Sequence, residues 1–255
     1  MQRRDVLIAA GTGALASLSG CQTAVGAVAL PDVPEEQLEA GGWKQRSVNR
    51  GRTVLNRNFG PVSVKAVASS VVYTDVELSR TVAERTLGMV DATLAMFFAT
   101  RIDMAPAIDE LGPIQEKVER LIMDTAGQKL RTRLQGVGLE DVTKTGTGTL
   151  TVDTGQEARL RTYRANYPVP DFTFPVTDGT TVTIPGTDLA IEALLAVWAS
   201  DAGYLVAGGA YPAENYSKSI SRDLSSAITV SVDIDLGLRP SAYRTEVRDL
   251  MTAVE

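Results

Sequence analysis

The chain of 255 residues contains no histidine and one cysteine. Without histidine, Ser-His-Asp and Cys-His catalysis and His-containing zinc sites are excluded, so any general base would be a carboxylate, a lysine or a tyrosine. The lone Cys21 has neither a disulfide partner nor a metal-site companion. Lysine is scarce, six against nineteen arginines. The apolar run Val6–Leu18 is diluted by Gly11 and Gly13. It is also shorter than the about 20 residues a membrane-spanning helix needs.

What the first 21 residues do contain is an export pattern. Arg3 and Arg4 precede the soft apolar run, which ends in Leu18-Ser19-Gly20-Cys21. A charged start, a short apolar middle and small residues before a processing point describe an export signal. The adjacent arginines suit the twin-arginine route. Leu18-Ser19-Gly20-Cys21 has the form of a bacterial or archaeal lipobox, in which the Cys21 thiol receives a lipid and cleavage makes it the mature N-terminus. A solitary cysteine is often a small buried hydrophobe; its place directly after the apolar run favours the lipid site. Val6-Leu7-Ile8 and the Gly11–Ala16 stretch imitate a dinucleotide-binding loop. That motif needs a following helix, a second strand and an acidic residue about 20 positions on. Here the chain gives Cys21 and then Pro31-Asp32-Val33-Pro34-Glu35-Glu36, so the nucleotide reading is rejected.

The expected organisation is a signal peptide over 1–20, a lipidated Cys21 with a short tether over 21–31, and one domain over 32–255. Loss of Arg3, Arg4 and Asp5 from 25 basic and 31 acidic residues leaves 23 and 30, a net charge of −7. That argues against nucleic acid, and against holding anionic lipid through a basic face. An acidic, arginine-rich and lysine-poor exported chain also fits work in high salt.

Along the domain, Pro34–Ala40 reads as a brief helix capped by Asp32 and stopped by Gly41-Gly42. Trp43–Asp75 reads as extended, with a turn at Asn58-Phe59-Gly60-Pro61 and period-two alternation over Val62–Val67. A polar stretch, Val76–Arg85, leads to Leu87–Ile102, a buried strand or, alternatively, a core helix, because a short apolar run does not separate the two. The clearest helix begins at Pro113. Ile114, Val118, Leu121, Ile122, Leu130 and Leu134 form its buried stripe. Gly127 interrupts it, and Gly136 and Gly138 end it.

The second half carries hairpin signals. Asp153-Thr154-Gly155 joins Thr147–Val152 to Ala158–Ala165; Asp178-Gly179 joins Phe172–Val176 to Thr181–Ile184; Asp201-Ala202-Gly203 joins Ala190–Ala199 to Tyr204–Tyr211. The alanines of 190–199 leave a helix open there. Ser226–Leu236 alternates, with Ile228, Val230, Val232 and Ile234 inward. Pro240 starts a terminal helix with Tyr243, Val247, Leu250, Met251 and Val254 on one face. Strands outnumber helices without alternating with them. The class is therefore α+β: a twisted antiparallel sheet packed by one long central helix and a C-terminal helix.

The lipobox, the segment ending in Leu38-Glu39-Ala40-Gly41-Gly42-Trp43, the Ala158–Tyr167 strand, the Ala196-Val197-Trp198 and Gly203–Val206 pair, and Val247–Met251 together resemble a family of Tat-exported lipoproteins from halophilic archaea. That family is a domain of unknown function. The resemblance implies a surface location and assigns no activity. The element order is also loosely similar to the PsbP and Mog1-like α/β/α fold, an analogy at fold level only.

Few residues point to chemistry. Asp233 and Asp235 share a strand face, about 7 Å apart by strand rise, and are metal candidates only if they are more than a solvated polar edge. Arg159, Arg161 and Tyr163 form the core of a basic-aromatic cluster with Arg164 and Tyr167. It could receive an anionic or sugar ligand, or simply pair with acidic neighbours across the sheet. Gly208-Gly209 marks a bulge or a close backbone approach. Asn215-Tyr216-Ser217 has the pattern of an N-glycosylation acceptor. No cofactor is indicated. The leading expectation is a non-catalytic module, lipid-anchored through Cys21 to the outer face of the cytoplasmic membrane, that binds a surface protein or ligand. The alternative is an extracytoplasmic hydrolase using carboxylates and a bound metal. Solute capture for a transporter is disfavoured by the missing two-lobe pattern.

Overall fold

The alternation that begins at Trp43 becomes a long hairpin. Strand β1 (Trp43–Phe59) pairs antiparallel with β2 (Val62–Asp75) around Gly60, whose φ of +62° is open to glycine without a Cβ clash. The computed structural model describes residues 28–177 and 180–255. Seven strands make the main sheet: β1, β2, β3 (Met96–Ala105), β4 (Glu140–Thr151), β5 (Glu157–Pro168), β8 (Asp188–Ser200) and β9 (Gly203–Pro212). Their order is β1-β2-β3-β9-β8-β5-β4, antiparallel throughout. Strands β8 and β9 lie at the centre, which is why Ala190–Ala199 and Tyr204–Tyr211 are almost continuously apolar. Two outlying hairpins, β6 (Phe172–Thr177) with β7 (Thr180–Ile184) and β10 (Ser217–Ser225) with β11 (Ile228–Asp235), leave the sheet after β5 and β9. The Asp178-Gly179 turn lies outside the described residues.

Among the described residues four α-helices and a 3-10 helix (Ile108–Ile114) join the strands: α1 (Glu35–Ala40), α2 (Val76–Arg85), α3 (Gln115–Gly136) and α4 (Pro240–Thr252). The register shows which face each long helix covers. One row across the sheet reads Val72, Phe98, Gly208, Leu195, Arg161. Arg161 reaches the α3 residues Met123 and Asp124, so α3 lies on this face. The neighbouring row reads Tyr73, Phe97, Gly209, Leu194. A Cβ at Gly209 would stand 2.7 Å from Cγ1 of Val247, which places α4 on the opposite face. Gly208-Gly209 is thus a site of close approach from both sides, with no register break between β9 and its neighbours.

Several expectations change. Val76–Arg85 is helix, not an undirected polar stretch: Asp75 Oδ1 accepts from Leu78 N–H at 2.8 Å, and Leu78 and Val82 are buried. The strand expected over 87–102 starts only at Met96, because Leu87 and Gly88 take left-handed conformations (φ +52° and +79°) that break extension. Asp32 does not cap α1, whose start has no side-chain cap. Its backbone instead pairs with that of Glu255, with N···O distances of 2.7 and 3.1 Å. The folded domain also starts earlier than residue 32. Val28 is buried, and its carbonyl accepts from the Ser69 hydroxyl at 2.8 Å. Gly127 does not interrupt α3; it lets the helix approach Tyr163, whose hydroxyl would lie 2.6 Å from an added Cβ. The alternation of Ser226–Leu236 is real, but among the described residues β11 pairs with β10 and not with the main sheet; Val230 and Val232 are half-buried, whereas Ile234 and Leu236 are buried.

Strand β1 is one edge of the sheet. Lys44, Arg46, Arg50, Arg52 and Arg57 are exposed along it with no acidic residue between, and three register shifts interrupt its ladder. Charges and bulges together blunt an edge against pairing with another chain.

Near α4, Trp43 Nε1 donates to Glu246 Oε1 at 2.6 Å. Burial raises the pKa of Glu246 and of Asp75, each opposed in part by hydrogen bonds, and the negative charge of Asp75 adds to the rise at Glu246. For an acid whose folded pKa is raised, the folded state binds the proton more tightly, so stability falls as pH rises through that folded value. Lowering the pH from 7 is therefore expected to stabilise the fold at first, the gain being complete near the ordinary values of 3.8 and 4.5. Glu246→Gln keeps an acceptor for Trp43, removes the Glu246 share of this dependence while that of Asp75 remains, and leaves the neutral-pH stability equal or higher. Urea titrations of both proteins at pH 5 and 7 check this; a wild type less stable at pH 5 with the variant unchanged would contradict the sign.

Candidate functional site

Helix α3 packs against β4, β5 and β8, and at the β1 side of the sheet its Lys117 lies over Phe59. A cleft of about 820 Å³ lies between α3 and strands β1–β3. Its floor is apolar, formed by Ala68, Phe98, Ile102 and Val206 from β2, β3 and β9. Leu121, Ile122, Ala126 and Leu130 form the helix wall. Leu121, Ile122 and Leu130 belong to the stripe that spacing assigns to the buried face of α3, yet Leu121, like Ala126 beside it, is only partly covered. The volume lies within the range of small-molecule sites, about 300–1,000 Å³.

Phe98 lies flat enough over Gly208 that a Cβ there would stand 2.7 Å from its Cζ. The Arg133 guanidinium sits over the same ring, 5.9 Å from its centroid, in a cation–π contact. Arg133 is half-buried and forms no ion pair among the described residues; burial alone lowers its pKa from the ordinary arginine value. Lys129 joins it on the helix lip and Arg52 faces them from β1. The remaining polar lining is neutral, including Ser70, Thr100, Thr125 and Thr132, and among the described residues no Asp or Glu lines the cleft.

The sequence-derived candidates fall elsewhere. Arg159 and Arg161 do share a face with Tyr163, but that face is roofed by α3. Arg159 Nε pairs with Glu119 at 2.6 Å, and Arg161 Nη2 with Asp124 at 2.7 Å. Their acidic partners come from the helix, not from a neighbouring strand, and Tyr163 is 2% exposed. The cluster seats α3 on the sheet. Asp235 is held by Asn215 Nδ2 and Gly237 N–H, both at 2.8 Å, and these hydrogen bonds lower its pKa. Asp233 is exposed, and among the described residues no three acidic or cysteine side chains converge to hold a metal. Asn215 is exposed and also accepts from Leu238 N–H at 2.8 Å, clamping the base of the β10–β11 hairpin. Arg3, Arg4, Leu18, Ser19, Gly20 and Cys21 lie outside the described residues.

Sequence reasoning passed over the cleft because its parts are scattered. The signal available was small: Ser70 and Thr100 interrupt otherwise apolar strands, and α3 carries more apolar residues than its contact with the sheet uses.

A domain of unknown function, DUF6517, matches residues 30–255. The chain belongs to this family. Its matched span begins close to Val28, the first residue seen packed against the sheet. No curated protein and no solved structure matches the chain. Among the described residues no helix is long and apolar enough to cross a membrane.

Proposed function

We propose that this DUF6517 protein is a non-catalytic binding module, held by a lipid on Cys21 at the outer face of the cytoplasmic membrane after twin-arginine export, and that the α3 cleft receives its ligand. The cleft carries this reading. It joins an apolar floor to cationic lips and offers hydroxyl, amide and cationic side chains instead of the converging carboxylates a metal-dependent hydrolase would need. Seven residue steps separate Cys21 from Val28. They span at most about 25 Å, so the domain would be held close to the bilayer. Val28, the first described residue, joins the sheet at Ser69, on the face opposite the cleft-lining Ser70. A single chain anchors weakly, so a two-chain lipid on Cys21 suits stable attachment. The N-terminal motif and its resemblance to exported lipoproteins of halophilic archaea support the location. On fold we propose no more than a loose likeness to the PsbP and Mog1-like arrangement, resting on element order.

Fractionation of expressing cells tests the anchor. The wild-type protein is expected in the membrane fraction, beginning at residue 21 and carrying added lipid mass, whereas Cys21→Ser is released. A Cys21→Ser protein that stays on the membrane, or a mature protein retaining residues 1–20, overturns it.

A further inference from the structure

We infer that the ligand of the cleft is an amphiphile with one anionic head group, its tail lying on Phe98 and Ile102 and its head held between Arg133, Lys129 and Arg52. This rests on the cleft being a binding site and adds the chemical class of what it binds. The protein as a whole is acidic, with a formal net charge of −6. Among the described residues the lining of this one cleft nevertheless carries three cations and no carboxylate. The cations also stand on both lips, Lys129 and Arg133 from α3 and Arg52 from β1, so a group seated between them would meet positive charge from two sides.

Elsewhere on the same sheet face, guanidiniums are neutralised: Arg159 by Glu119 and Arg161 by Asp124. Among the described residues Arg133 has only the face of Phe98. A bland role exists for it, since a cation in the last turn favours the helix carbonyls. That role needs neither partial burial over an aromatic floor nor a second and third cation around the same opening. A guanidinium already stripped of part of its water binds carboxylate or phosphate oxygens in a fork, and such charge-assisted bonds are stronger than neutral ones. The floor supplies the complementary half. Ala68, Ile102, Val206 and Leu130 offer no hydrogen-bonding side chain, so a wholly polar anion would leave them facing water. The chain's own leader does not fit. Its charged residues before the apolar run include Arg3 and Arg4, which would meet cations of the same sign.

The test is calorimetric titration of the full chain carrying Cys21→Ser with dodecyl phosphate, dodecanol and inorganic phosphate, the amphiphiles kept below micelle formation. Dodecyl phosphate is expected to bind at least about tenfold tighter than either of the other probes, from its charge-assisted contacts. Arg133→Gln combined with Lys129→Gln should weaken dodecyl phosphate by about tenfold to a hundredfold and leave dodecanol unchanged. Both side chains lie on the outer surface of α3 or half-buried at its edge, and an unshifted melting temperature of the free variant verifies folding. Equal binding of dodecanol and dodecyl phosphate, or no effect of the paired variant, overturns the anionic head while leaving the cleft as a binding site. Inorganic phosphate binding as tightly as dodecyl phosphate overturns the tail. No binding of any probe overturns both the inference and the cleft reading on which it rests.

Discussion

Phe97→Ala is expected to destabilise the protein by about 3–5 kcal/mol, the cost of removing a large aromatic side chain from a core that relaxes only in part. Phe97 is completely buried, between Trp43 at a ring-centroid distance of 6.4 Å and Tyr73 at 6.2 Å. It joins the edge hairpin to the central strands, since its register neighbours are Tyr73 of β2 and Gly209 of β9. Small domains are stable by only about 5–15 kcal/mol, so this one change would remove a large part of the total. Urea denaturation measures it, with Leu87→Ala as the contrast. Leu87 is 75% exposed, and its truncation should stay within about 0.5 kcal/mol. Equal effects of the two variants would mean that the row through Phe97 does not hold the sheet together.

The second large effect is at Gly209. An added Cβ would stand 2.7 Å from the Met96 carbonyl oxygen and 2.7 Å from Cγ1 of Val247, closer than real Cβ atoms come to either. Gly209→Ala should therefore cost about 1–3 kcal/mol by overpacking, by pushing α4 away from β9. Val247→Ala removes the flexible half of that clash and leaves the backbone half. In the double variant the two changes should couple by about 0.5 kcal/mol or more, in the direction of partial rescue. Strict additivity would show that α4 is not seated on Gly209. Because α4 lies on the face away from the cleft, the melting temperature of Gly209→Ala should drop with little change in ligand affinity, separating the fold from the site.

How far the sequence reached depends on the range of the interaction concerned. The β8–β9 pair was readable because two apolar runs flank Asp201-Ala202-Gly203, and a tight turn leaves adjacent strands no choice but to pair. The same local reasoning found the Asp153–Gly155 hairpin, the α3 stripe, the Gly136 stop and the helix after Pro240. It misplaced the start of β3, because the positive φ of Leu87 has no marker in an apolar sequence context. It left α2 unassigned, although Asp75 is a good N-cap, because only two of its ten residues, Leu78 and Val82, are buried. Gly127 read as a weak point for a sound local reason; its use becomes visible only when Tyr163, 36 positions away in the chain, is placed beneath it.

By itself, the sequence determined the class of the domain, its principal hairpins and helices, and the exclusion of histidine chemistry. Those follow from composition and from contacts between residues close along the chain. Tertiary structure decided that β9 inserts between β3 and β8, that Arg159 and Arg161 serve α3, and that Arg52 and Arg133 face one opening. Arg52 and Arg133 are 81 residues apart. No periodicity or spacing rule relates two such positions. Only the assembly of the sheet, with α3 laid across part of it, brings their charges to the same apolar floor.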